Sequence, residues 1–206
     1  QYLKDILKYG VRAGDFGGYI ESEKNLSQQG DCVVLGNARV YENAVISGNG
    51  TLYENARVSG NAHVYGNAEV FGNAKVYGNA AVSGSAWVLG SAMVFGNAEV
   101  FENAAISGSA RVYGDAEVCG NARVYGNAIC TQSPFTCSFT QDPITVTDKH
   151  IAIGCEMYTF KHWIKHLEDI GKNHGYSEQD IKLYKTIVFS MIEQRTGKTL
   201  INIKKG

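Results

Sequence analysis

Proline and histidine are scarce in this 206-residue chain, with two and five copies, and no two cysteines form a Cys-x-x-Cys pair. So little proline excludes a proline-rich disordered chain, and 24 glycines in no triplet order exclude collagen. Charge is sparse too: 19% of residues are charged, 19 basic against 20 acidic, for a net charge of -1. A globally basic nucleic-acid binder is excluded, while a local basic face is not. No apolar run approaches the ~18 residues of a membrane-spanning helix. The opening QYLKDILKYG carries charges inside its apolar pattern and no cleavage site, so it does not read as a secretory signal. It begins on Gln1 rather than Met, which places the expected native start upstream. Cys32, Cys119, Cys130, Cys137 and Cys155 are an odd number, which argues against a disulfide framework or zinc knuckle and for a reduced, cytoplasmic compartment.

What is abundant is a repeat. An aliphatic residue recurs every sixth position from Val34 to Val124, sixteen in register, and Cys130 takes the next slot. Two residues before most of them sits alanine, as at Ala38, Ala44, Ala56 and Ala62, and between units sits a Gly-Asn pair, as at Gly60-Asn61 and Gly66-Asn67. A 3.6-residue helix cannot hold a strict six, but short strands ending in tight corners can. Glycine and asparagine accept left-handed backbone angles cheaply, so each pair marks a corner. Alanine and the aliphatic lie two apart and share one side, which must be the inside.

The run Ala56-Arg-Val-Ser-Gly-Asn-Ala-His-Val-Tyr-Gly-Asn-Ala-Glu-Val resembles the hexapeptide repeat of left-handed parallel β-helices, over residues 34–130. That resemblance implies three hexapeptides per triangular coil, about five coils and a left-handed winding. One departure is the slot after the aliphatic, usually small or acidic in that family and here Tyr, Phe or Ser. These tyrosine-rich units, with the segment Ala13-Gly-Asp-Phe-Gly-Gly-Tyr-Ile-Glu, look like phage and bacterial repeat proteins loosely labelled transferases. The expected fold is therefore mainly β: a cap over 1–33, a left-handed parallel β-helix over 34–130, a linker over 131–143 holding Pro134 and Pro143, and a small α+β domain over 144–206. In the cap, Leu3, Ile6 and Leu7 form a short amphipathic start. In the last domain, Ile144–Ile153 alternates around Asp148-Lys149 as a hairpin. Thr159 caps one helix bearing Phe160, Trp163, Ile164, Leu167 and Ile170, ended by Gly171 or Gly175. Ser177 and Asp180 form a capping box before a second, with Ile181, Tyr184, Val188, Met191 and Ile192 inward.

Coils of 18 residues stack outward side chains into columns. The first face carries Arg39, Arg57, Lys75, Met93 and Arg111 beside Tyr41, Ser59, Tyr77, Phe95 and Tyr113. Like charges so stacked repel, and cation–π contact with the neighbouring rings is the expected relief. Its two readings are a site for an acidic partner and a solvated face that keeps the sheet soluble. On the second, His63 and Ser47 lead to Glu99 and Glu117. The third offers Tyr53, Phe71, Trp87, Leu89 and Tyr125, little charged and a candidate interface between copies, dimer or trimer.

Many hexapeptide proteins are trimeric acyltransferases with a histidine general base and loops interrupting the coils. Here the register runs unbroken, and the lone solenoid histidine, His63, points outward, so the favoured reading is a surface residue. His162 and His166 are four apart on a predicted helix, but Lys161 and Lys165 beside them disfavour a metal. The expectation is thus a non-enzymatic scaffold without cofactor or membrane, binding an acidic macromolecule through the first face or the C-terminal domain. If the phage resemblance holds, that partner is a host protein in the host cytoplasm, and inhibition of host defence is implied. The alternatives are acyl transfer from coenzyme A and capture of nucleic acid or nucleotide.

Overall fold

The computed structural model describes Ile6 and residues 10–137 and 141–200; Leu3 and Leu7 lie outside these. The six-residue units form a parallel β-solenoid of three sheets. The first holds seven two-residue strands, from Tyr19–Ile20 and Arg39–Val40 to Ile129–Cys130. The second runs from Leu26–Gly30 to Glu117–Val118 and the third from Val33–Val34 to Arg123–Val124, each with six strands.

Register follows the repeat. Arg57 stands beside Arg39 on one side and Lys75 on the other, and Val58 beside Val40 and Val76. Each strand donates N–H groups to the next turn, as Arg39 to the Ala56 carbonyl at 2.9 Å and Tyr41 to Val58 at 3.2 Å. The Ala and Val/Ile/Leu columns are buried throughout, so the interior is a dry stack of small aliphatic side chains, closed by Cys130 in the next slot. Corner glycines from Gly36 to Gly126 have φ between +61 and +74, which an L side chain reaches only with strain. Outside the corners, asparagines bond turn to turn, Asn43 to Asn61 to Asn79 to Asn97 at 3.0–3.2 Å, ending on Asp115 at 2.9 Å.

The stack has about six turns rather than five. Residues 19–33, ahead of the strict register, complete an irregular first turn: Tyr19 pairs with Arg39, and Leu26–Gly30 pairs with the second sheet through a register shift. Leu26 takes the aliphatic place there, opposite Ile46, and buried Asn25 beside it donates to the carbonyls of Ala44 at 2.8 Å and Glu42 at 3.0 Å. Ile6 and Val11 pack with Val33 over this end.

The other end is closed by a four-stranded antiparallel meander, Phe135–Cys137, Ile144–Val146, His150–Ile153 and Glu156–Thr159. The hairpin around Asp148-Lys149 forms its middle, and the segment read as a linker supplies its first strand. The meander takes up the orphan groups of the last turn. Thr145 Oγ1 accepts the Arg123 N–H at 3.1 Å, the Asp148 N–H reaches the Ile129 carbonyl at 3.2 Å, and Met157 lies against the solenoid core.

Helices α1 (Phe160–Asn173) and α2 (Glu178–Thr196) cover the meander's other face. Thr159 caps α1, and the Ser177–Asp180 capping box opens α2. Gly171 does not end α1 but lies within it, where a Cβ would come 2.8 Å from Ile181 Cγ1, so it sets the close approach of the helices. The turn follows at His174 and Gly175. Phe160, Trp163 and Leu167 meet Ile181, Tyr184, Val188 and Ile192 in one core. Among the described residues no helix is long and apolar enough to cross a membrane.

Candidate functional site

Parallel pairing assembles the first face. Arg39, Arg57, Lys75 and Arg111 are exposed in one column, interrupted by Met93. Among the described residues, none of the four has a carboxylate within ion-pair distance. The neighbouring aromatics solve their own problem differently from the expected cation–π relief. Tyr77 and Phe95 stack at 4.9 Å with planes 1° apart, and Phe95 and Tyr113 at 4.7 Å and 9°. The rings therefore cover one another's faces. Tyr41 stands apart, separated by Ser59.

One aromatic that the repeat did not reveal does take a cation: the Arg39 guanidinium lies 5.5 Å from the Tyr19 ring centre. Tyr19, Ile20 and Glu21 join Arg39, Tyr41 and Arg57 around a groove of about 360 Å³ at the N-terminal end of the face. Tyr19 is 60% exposed. Only the irregular first turn brings it there, so the six-residue period carries no signal for it.

His63 is exposed on the second face, flanked across the strands by Val45 and Ala81, with no titratable neighbour in its column. No insertion interrupts the strands from Val33 to Cys130. On the third face Tyr53 and Phe71 stack at 4.6 Å, Leu89 is half-buried, and Trp87 is 50% exposed. Tyr125 is engaged by the cap: its hydroxyl donates to the Gly154 carbonyl at 3.4 Å, and burial, with Cys155 and Glu156 nearby, pushes its phenol up to about 12. A wide groove runs from Trp87 to the Gly154-Cys155 turn.

His162 and His166 are neighbours on α1, with ring centres 4.7 Å apart, but His162 stacks on Tyr158 at 4.1 Å and His166 faces Asp169 at 4.0 Å. Among the described residues, no group of three His, Cys, Asp or Glu side chains is placed to hold a metal ion. All five cysteines are free thiols, and burial pushes Cys130 up to about 12.

A family model described as the YdcK β-solenoid repeat matches residues 74–90 and 116–131. The chain carries β-solenoid repeats. Both matched stretches lie inside the stack, one in its middle and one at its C-terminal turns. Comparison with curated proteins returns no match.

A third concavity lies in the C-terminal cap, between the Gly154-Cys155 turn and the facing ends of α1 and α2. Its floor is apolar, with Trp163, Leu167 and Ile181. Tyr176 donates to the Asp142 carboxylate, and the Tyr184 hydroxyl accepts the Asp142 N–H at 2.6 Å. Burial, then that bond to Asp142, raises the Tyr176 phenol far above its ordinary value, so it remains a donor. Glu156 meets His174 at 3.2 Å. A hydrogen bond from Tyr158, and then His174, holds the Glu156 carboxyl below its usual range. Sequence reading missed Asp142, Glu156 and His174, which are 14 and 18 residues apart with no motif among them.

Proposed function

We propose that this chain is a non-enzymatic binding scaffold that presents Arg39, Arg57, Lys75 and Arg111 to an acidic protein surface. The observation that carries this reading is the exposed cationic column in strict register. Unit charges one strand spacing apart repel by about 1 kcal/mol per pair even in water. The solenoid fixes the spacing of the strands that carry them, so carboxylates from a partner would offset a repulsion that side-chain rotation only reduces. The groove beside Arg39, with exposed Tyr19 and Ile20, adds apolar contact at one end.

Protein is favoured over nucleic acid by the aromatic column. Base stacking needs free ring faces, and Phe95 spends both of its own on Tyr77 and Tyr113, each of which keeps only its outer face. Acyl transfer lacks support, because no loop builds a cleft along the strands and His63 is flanked in its column by Val45 and Ala81. The reading takes the winding as left-handed and, if the chain is phage-encoded, the partner as a host protein.

Affinity capture from the host with the wild-type chain and with Arg57→Glu/Lys75→Glu tests it. An acidic protein held by the wild type, released by salt and absent from the double variant is the expected result. Equal capture by both chains, or loss of a bound oligonucleotide instead, overturns it.

A further inference from the structure

The cavity in the C-terminal cap has a volume of about 180 Å³. That is the scale on which a protein interior accepts one aromatic ring, since an apolar void of ~150 Å³ binds benzene. Trp163, Leu167, Ile170 and Ile181 form its apolar wall, and neither lysine nor arginine lines it. Its polar rim carries two carboxylates, Asp142 and Glu156, against one imidazole, His174. Concave apolar sites with a few converging polar groups are where proteins hold small molecules.

We propose that this cavity binds a small organic cation, an ammonium on an aromatic or branched alkyl body, with the body against Trp163 and Leu167 and the charge between Asp142 and Glu156. Charge complementarity selects the ligand class. An anion would meet two carboxylates with no lysine or arginine to offset them, whereas a cation is matched by both. Glu156 is held in its ionised form by Tyr158 and His174, so the rim stays negative at neutral pH. The ammonium supplies three donors, enough to bridge both acids. This site is independent of the basic face, which lies on the solenoid.

Three probes of one shape separate charge from bulk: phenethylammonium, phenethyl alcohol and phenylacetate, each titrated into the full chain by ligand-observed NMR. Saturable binding is expected for the ammonium, about tenfold weaker binding for the alcohol and none for phenylacetate, the scale set by a charge-assisted hydrogen bond. Glu156→Gln is expected to lower ammonium affinity about tenfold and alcohol affinity by less, while an unchanged circular-dichroism spectrum shows that the variant is folded. Equal affinity for all three probes, absence of saturable ammonium binding, or a Glu156→Gln chain that binds the ammonium as before each overturns the assignment.

Discussion

Glu102 stands in a corner position that glycine holds in most repeats, and its Oε2 accepts the backbone N–H of Gly120, one turn further on, at 2.6 Å. Its φ is +59, left-handed backbone that costs a side chain about 1–2 kcal/mol. Glu42 repeats the arrangement with Gly60 at 2.5 Å. The carboxylate takes an N–H that the turn-to-turn ladder leaves over, since the ladder uses the Gly120 carbonyl. Glu102→Ala keeps the strain and loses the bond, so it is expected to cost about 1–2 kcal/mol in urea denaturation. Glu102→Gly loses both and is expected near neutral. Equal losses in the two variants would mean that no strain is stored there.

Corner glycines differ in what surrounds them. A Cβ on Gly72 would come 2.8 Å from the Gly90 carbonyl oxygen, whereas one on Gly36 would sit 3.4 Å from Glu54. Both have positive φ, +72 and +63. Gly36→Ala is therefore expected to cost about 1–2 kcal/mol, from backbone strain alone, and Gly72→Ala about 3 kcal/mol or more because two turns must separate. Thermal unfolding of the two variants ranks them directly.

Asp148 holds the cap to the solenoid. Its carboxylate accepts the Thr131 N–H at 3.0 Å and the Thr131 hydroxyl at 2.7 Å. Asp148→Ala should remove about 1.5–3 kcal/mol locally. Limited proteolysis is expected to cut sooner between residues 131 and 134 while circular dichroism keeps its β signature. Unchanged cleavage would place the hold elsewhere, for instance on Arg195, which donates to the Ser133 carbonyl at 2.6 Å and lies 4.1 Å over the Phe135 ring.

His150 gives the cap a pH dependence. Burial, and then Lys149, lowers its pKa below the ordinary 6.5, and among the described residues its buried Nδ1 has no hydrogen-bond partner. The unfolded chain therefore takes up a proton before the folded one does. Stability from this residue is intact above pH 6.5 and falls as the pH drops below it toward the folded value. His150→Gln is expected to flatten the stability profile in that window, and an unchanged slope would exclude His150 as its source.

How much of this was legible differs along the chain. From Val34 to Cys130 the period alone placed the Ala and aliphatic columns inward, because a six-residue unit with a glycine corner leaves one way to bury both Ala and Val; Thr51, buried in an outward slot, is an exception. The column of Arg39, Arg57, Lys75 and Arg111 followed once three units made a turn. Ring-on-ring stacking of Tyr77 and Phe95 was not legible, since spacing shows adjacency but not which neighbour a ring prefers. Both helices and their caps could be read locally from Thr159 and the Ser177–Asp180 pair.

By itself, then, the sequence determined the repeat and its inward columns and, with the three units per turn that the resemblance implies, its register and three faces, since each depends on contacts between residues a fixed number of positions apart. Tertiary structure alone decided the rest: Tyr19 under Arg39, Asp148 on Thr131, and the cavity that gathers Asp142, Glu156 and His174. Those contacts join segments with no common period, so only the packing of the cap on the last turn, and of the first irregular turn on the second, could set which side chains meet.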